Sequence, residues 1–220
     1  MRNFRMNNLT FTISAAAVSS LFAIGTASAD FTGMQFETVE NGMAGLTTIR
    51  VYAGVDGGEV DAVYGDGDNN LLVTSDSGFY QNNFGGYGAP SAALFGFFPS
   101  LEFDSFVSIG LLDDGGDAML DIGIDWTDFE SGGSISTDNG TWFATPSDPQ
   151  VFAVDGRVLV GQFTVNDDDH VYGSLNLQGK DADLTNWNAN GVAFDSNGIP
   201  APGAIALLGL AGVAARRRRK

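Results

Sequence analysis

The sequence predicts an all-β fold, a two-sheet antiparallel β-sandwich. Three observations carry this reading. Short apolar or alternating runs recur along the middle of the chain; Gly, Asp or Asn clusters bound each run; and no run extends into a long 3.6-residue pattern. The ends read differently, so the chain divides into residues 1–29, an acidic domain of residues 30–198, and a tail of residues 199–220.

In chain order, residues 46–55 read as a strand with Ile49, Val51, Ala53 and Val55 on one face, stopping at Asp56-Gly57-Gly58. Residues 59–65 alternate Val60, Ala62 and Tyr64 against Asp61 and Val63, and are expected to pair with the preceding strand as a hairpin. Further strands are expected at 71–74, 103–112, 118–124, 141–145, 157–165 and 171–177, about eight in all. The run 157–165 is apolar on both faces for part of its length, which places it centrally in a sheet. The connectors carry turn chemistry: Asp113-Asp114-Gly115-Gly116, Asp138-Asn139-Gly140, Asp155-Gly156 and residues 166–169. Residues 78–99 form an aromatic, Gly-rich segment without a period, read as a loop that folds back over one end of the sandwich, or else as an aromatic platform for a glycan or partner.

The first 29 residues have the plan of a secretory signal: Arg2 and Arg5, an apolar stretch over residues 13–24, then Ala27-Ser28-Ala29. Cleavage by signal peptidase is expected between Ala29 and Asp30. Seven of the ten basic residues lie in the two ends, and all 27 acidic residues lie between Asp30 and Asp195. The delivered domain therefore has three basic side chains, Arg50, Arg157 and Lys180, and a formal charge of −24. Such a surface repels nucleic acid phosphates and excludes a nucleic-acid partner. With no cysteine, the domain is held by its core rather than by disulfides.

The chemistry of a catalytic site is sparse. No thiol nucleophile and no multi-histidine metal site can be built from zero Cys and one His. His170 follows Asp167-Asp168-Asp169 and reads as a solvated loop residue. The segment Gly132-Gly133-Ser134-Ile135-Ser136 approaches a nucleophile elbow and fails at its last position. No catalytic residue is assigned, and the chain is read as a non-enzyme.

Calcium is the best-motivated ligand. Asp66, Asp68 and Asn70 supply oxygens at alternate positions, as at the start of an EF-hand loop, although Leu71 stands at the turn glycine and Ser77 at the bidentate glutamate. An acidic turn is the competing reading of the same residues, and Asp113, Asp114 and Asp117 form a second such set. Asn139-Gly140-Thr141 matches a glycosylation sequon but reads as a turn. Trp126, Trp142 and Trp187 are candidates for a sugar-binding surface, with Trp142 assigned to the core.

The tail runs Pro200-Ala201-Pro202, then an uncharged stretch over residues 203–215, then Arg216, Arg217, Arg218, Arg219 and Lys220. Thirteen helical residues reach about 20 Å at 1.5 Å per residue, short of a hydrocarbon core of roughly 30 Å. The Arg cluster would stay cytoplasmic, leaving the domain outside. This order of parts resembles the PEP-CTERM sorting signal of Gram-negative bacteria, with Ala201 replacing the usual Glu. The resemblance implies processing by an exosortase, transient attachment to the inner membrane through both ends, release or attachment at the cell surface, and an association with exopolysaccharide or biofilm matrix. The expectation is thus a non-catalytic extracellular protein built on a jelly-roll or cohesin-like sandwich with a signal helix before it and a short apolar helix after it. A secreted glycan-active enzyme and a cohesin-like protein-binding module are the alternatives.

Overall fold

The computed structural model describes residues 31–198. The signal helix, the cleavage site at Ala29 and Asp30, the Pro200-Ala201-Pro202 motif, the apolar tail helix and the Arg216 to Arg219 cluster lie outside the described residues. Within them run β1 (Phe31–Val39), β2 (Leu46–Val55), β3 (Glu59–Gly65), β4 (Leu71–Thr74), β5 (Phe106–Val107), β6 (Leu120–Ile122), β7 (Ile135–Thr137), β8 (Gly140–Phe143), β9 (Arg157–Asn166), β10 (Tyr172–Lys180) and β11 (Asn186–Asp195), with one four-residue helix, α1 (Thr127–Glu130). The strands form two antiparallel sheets packed as a sandwich, as expected from the sequence.

The first sheet has the order β1-β2-β9-β5. The alternation read in β2 holds: Ile49, Val51, Ala53 and Val55 all point into the core. The central placement of β9 also holds, and its two-faced apolarity has two causes. A bulge at Val160 shifts the register, so Val158 and Val160 join Phe163 and Val165 inside. On the other face Gln162 and Thr164 are sealed by residues 102–105: Gln162 donates to the carbonyls of Glu102 and Asp104, and Thr164 to that of Phe103.

The second sheet has the order β6-β8-β3-β10-β4-β7, with β11 on the far side of β10. This order encodes two interrupted strands. Both β3 and β4 pair with the same edge of β10, Leu177 opposite Val63 and Gly173 opposite Val73. Likewise β8 pairs with β3 and β7 with β4. The segment 66–70 is therefore an excursion out of one long strand, and Asp138-Asn139 is the matching break in its neighbour; neither is a hairpin turn. The core between the sheets holds Val60, Val63, Leu71, Ile135, Trp142, Leu175 and Leu177 from this side, all at most 1% exposed.

Several sequence expectations are corrected. β3 does not pair with β2, because Asp56-Gly57-Gly58 carries the chain from one sheet to the other. Val60 and Val63 are both core, since a bulge at Asp61 breaks the alternation. Residues 103–112 form only the two-residue β5, because after Phe106–Val107 the chain holds to β9 by single bonds, from the Ser108 amide to Val160 and from the Gly110 amide to Leu159. β1, β7 and β11 were not expected; β7 is three residues long, and β1 and β11 carry polar residues on exposed faces without a strong period. Asp155-Gly156 is a tight turn with both residues at positive φ, 53° and 76°, between bridged Val154 and Arg157.

The break between β3 and β4 is closed by one side chain. Asn176 of β10, fully buried on the face opposite Leu175 and Leu177, donates Nδ2 to the Asn69 carbonyl at 3.2 Å and to Asp66 Oδ2 at 3.3 Å. Its Oδ1 accepts from the Gly191 amide at 2.7 Å, where β11 is itself bulged. Asn176 thus satisfies backbone groups on both sides of β10 that the ladders leave unpaired. Asn176→Ala is expected to lower unfolding free energy by about 2–3 kcal/mol in a urea melt, since buried groups are left unpaired. Asn188→Ala, an exposed amide on the next strand, should change it by less than about 0.5 kcal/mol.

Candidate functional site

The outer face of the second sheet carries a groove of about 450 Å³. Strand periodicity builds it. Because Val63, Trp142 and Leu177 point inward, their neighbours Ala62, Tyr64, Thr141, Phe143 and Gln178 point outward, and Ile122 of the edge strand β6 completes the floor at 65% exposed. The floor is apolar and uncharged. Beside it lies a row of exposed amides, Gln178 opposite Asn188 across β10 and β11, and Asn190, which accepts from the Tyr64 hydroxyl at 2.8 Å. Asp61 lines one end of the groove and Asp66 the other, separated by roughly 15 Å of strand at 3.3 Å per residue.

The two acids differ in kind. Asp66 is committed to its loop: Oδ1 accepts from the amides of Asp68 and Asn69, and Oδ2 from Asn176. Asp68 and Asn70 are exposed, and the Asn70 carbonyl accepts from Ser174 Oγ at 3.2 Å. The three residues expected to bind calcium thus lie together in the excursion, with the Asp66 carboxylate closing the turn itself. The second set does not converge on one point: Asp113 caps the Gly115 amide, Asp117 the Met119 amide, and Asp114 reaches the Ala92 amide.

Asp61 is buried at the bulge of β3 and is in hydrogen-bond contact with Glu59, itself 1% exposed. Glu59 Oε2 accepts from the Ser147 amide at 2.9 Å, while Glu59 Oε1 and Asp61 Oδ1 are sealed from solvent without a partner. Burial first, and the charge of Glu59 second, push the Asp61 carboxyl up to about 6, with Lys180 pulling the other way. Two acids two residues apart in an otherwise apolar strand, Glu59-Val60-Asp61, are the signal in the sequence that could have marked this pair.

Two further acidic positions are notable. Asp104 is fully buried beneath residues 82–86, with Oδ1 accepting from the Asn82 amide at 2.7 Å and Oδ2 unpartnered. Burial raises it to about 7, against amide bonds from Asn82, Ser105 and Gly86. His170 is not the solvated residue expected. It is half-buried, stacked on Tyr172 at 4.9 Å, with Nδ1 3.8 Å from Asp169 and Nε2 3.7 Å from Asp195. Asp76, Asp169 and His170 bring ligand atoms within 4.8 Å of one another, a constellation assembled from two loops, the one after β4 and the one between β9 and β10. Burial opposes the charge on Asp169, but bonds from Ser75 Oγ and the His170 and Ser77 amides overcome it and hold the acid down to about 2.

The tryptophans do not line the groove. Trp126, Trp142 and Trp187 are all at most 9% exposed; Trp126 stacks on Tyr87 at 4.5 Å, and Trp187 on Phe31. The segment 78–99 divides: Phe79 enters the core, while Phe84 stacks on Phe98 at 3.9 Å and Phe97 stays 79% exposed. Ser134 Oγ is hydrogen-bonded to Thr74 Oγ1 at 2.7 Å.

No family model matches the chain, and no curated protein or solved structure is similar to it. Among the described residues no helix is long and apolar enough to cross a membrane.

The carboxyl groups make stability depend on pH in opposite directions. Asp61 and Asp104, with folded values raised to about 6 and about 7, bind protons more tightly folded than unfolded, so their contribution is full below the ordinary carboxylate range and is lost as pH rises through those values. Asp61→Asn replaces a buried acid by an amide that donates toward Glu59, and should melt higher than the parent at pH 8 with a smaller difference at pH 4. Asp169, lowered to about 2, stabilises the fold above the ordinary range and ceases to as pH falls toward 2. Asp169→Asn should therefore lower the melting temperature at pH 7, and the deficit should shrink near pH 2.

Proposed function

We propose that this chain is an exported, non-catalytic surface or extracellular matrix protein whose β-sandwich binds saccharide in the groove on its outer sheet face. The observation that carries the binding half is the groove itself: an aromatic and aliphatic floor of Tyr64, Phe143 and Ile122 flanked by the amides of Gln178, Asn188 and Asn190. Sugars present alternating C–H faces and hydroxyl rims, and such a floor with amide neighbours matches both. The export half rests on the sequence of the two ends and on the resemblance of the tail to the exosortase-processed class.

The non-catalytic reading is supported by the carboxylates. Glycoside hydrolysis uses two free acids about 5–9.5 Å apart. Asp61 and Glu59 are in direct contact, which leaves no room for a glycosidic oxygen and a water between them, and Asp66 at the far end is tied up by three donors. Calcium at the 66–70 excursion belongs to the same proposal, as a stabiliser of that loop beside the groove.

Titration of the purified protein with a panel of neutral and amino-sugar oligosaccharides should give saturable binding that Tyr64→Ala or Phe143→Ala weakens about tenfold, a loss of ~1.4 kcal/mol. Release of shortened sugars, abolished by Asp61→Ala, would instead establish the enzyme. Intact mass of the protein recovered from the cell surface or medium should start at Asp30 and lack the residues after the Pro-Ala-Pro motif. A thermal melt with millimolar calcium against chelator should move upward if the excursion holds the ion.

A further inference from the structure

Whether the groove discriminates among saccharides is decided at its Asp61 end. All charge that lines the groove is negative, from Asp61 and Asp66, and no basic side chain lines it. The domain carries only three basic side chains, and two are engaged elsewhere: Arg157 donates to Glu37 at 2.7 Å beneath the Tyr52 ring, and Arg50 to Gln162. The third, Lys180, lies opposite Glu59 across β10 and β3 and is the sole cation facing the pair. Two acids therefore share one lysine, and each keeps an oxygen, Glu59 Oε1 and Asp61 Oδ1, that nothing satisfies. The bulge at Asp61 takes this residue out of the inward alternation and into the groove wall, where it lines the groove while only 3% exposed; Glu59 beside it is buried and does not line the groove.

A buried acid without a partner is unfavourable until a donor arrives. A uronate or sulfated sugar brings the wrong charge to a groove with no cation and to a domain of formal charge −24. A neutral or N-acetylated sugar fits the floor but leaves the pair with its proton or its surplus charge. A protonated primary amine supplies up to three donors and the missing positive charge at once.

Building on the proposed saccharide groove, we infer that its ligand is an amine-bearing saccharide, a polymer of free hexosamine, whose ammonium group is received by Asp61 beside Glu59. Binding then requires Asp61 to be ionised, so affinity rises as pH increases through its value, with Glu59 and Lys180 the charged groups that face it and Asp66 the charge at the opposite end. The amine must stay protonated, which bounds the favourable window on the alkaline side.

The test is a calorimetric titration of the purified protein at pH 7 with a tetramer of β-1,4-linked glucosamine, its fully N-acetylated counterpart and a tetramer of hexuronate. The free-amine tetramer should bind at least tenfold tighter than the N-acetylated one, and the hexuronate should give no heat. Asp61→Asn, which is expected to fold, should cut the amine preference to under threefold by weakening the free-amine tetramer. In the parent the preference should also fall between pH 7 and pH 5, a readout that needs no variant. Equal binding of the two hexosamine tetramers would overturn the amine inference and leave the saccharide groove standing. A preference that survives Asp61→Asn and disappears in high salt would overturn the assignment to Asp61, because diffuse attraction to the acidic surface would account for it. No binding of either hexosamine tetramer, in a protein whose Tyr64 and Phe143 signals do not shift with any sugar of the panel, would remove both the inference and the groove reading.

Discussion

The second sheet depends on Asn176. A long antiparallel strand that breaks in its middle leaves carbonyls and amides on its neighbours without ladder partners, and burying such groups unpaired costs more than most single contacts return. One amide side chain resolves this on both sides of β10, because its donor faces the excursion between β3 and β4 while its acceptor faces the bulge in β11. The break in β3 and β4 is matched by a break between β7 and β8, so the whole row kinks together instead of losing register. Gly191, with φ of 61°, follows from the same contact, since a side chain there would meet Asn69.

The kink positions the groove. Leu71 and Gly65 resume and end the two halves of the strand, and the excursion between them rises over the outer face to form one end wall. At the other end the bulge at Asp61 performs the equivalent task from within the ladder. Two irregularities of one strand thus bound an otherwise flat, uncharged sheet face, and each carries an acid into the boundary. Asp66 is hydrogen-bonded by two amides of its own loop and by Asn176, whereas Asp61 has only another acid and a lysine beside it. That asymmetry gives the groove a direction.

The acidity of the domain sets the terms for the rest of its surface. Carboxylates are used repeatedly as caps for turn amides, at Asp66, Asp113, Asp117, Asp128, Asp148 and Asp195, where each replaces a missing backbone acceptor. This explains how a chain so rich in Asp and Gly holds long irregular connections, such as residues 78–105, against the sandwich without disulfides. Asp104 does so from full burial, which raises its carboxyl to about 7 against the amide bonds it accepts.

The sequence by itself determined the class of fold, the strands with strong periods, β2, β3, β4 and β9, and the extreme charge, because side-chain alternation and composition are local properties. Only the tertiary structure decided which strands are neighbours: β2 and β3 adjoin in sequence and lie in opposite sheets, and Asp66 to Asn70 looks like a hairpin turn but interrupts a single strand. It likewise decided that all three tryptophans are core, that His170 meets Asp195 at the end of β11, and that Glu59 and Asp61 are in contact. The physical reason is that the pattern of a strand states which face is apolar but not what lies across it. A bulge moves one residue to the other face for the sake of a ladder formed with a partner more than a hundred residues away.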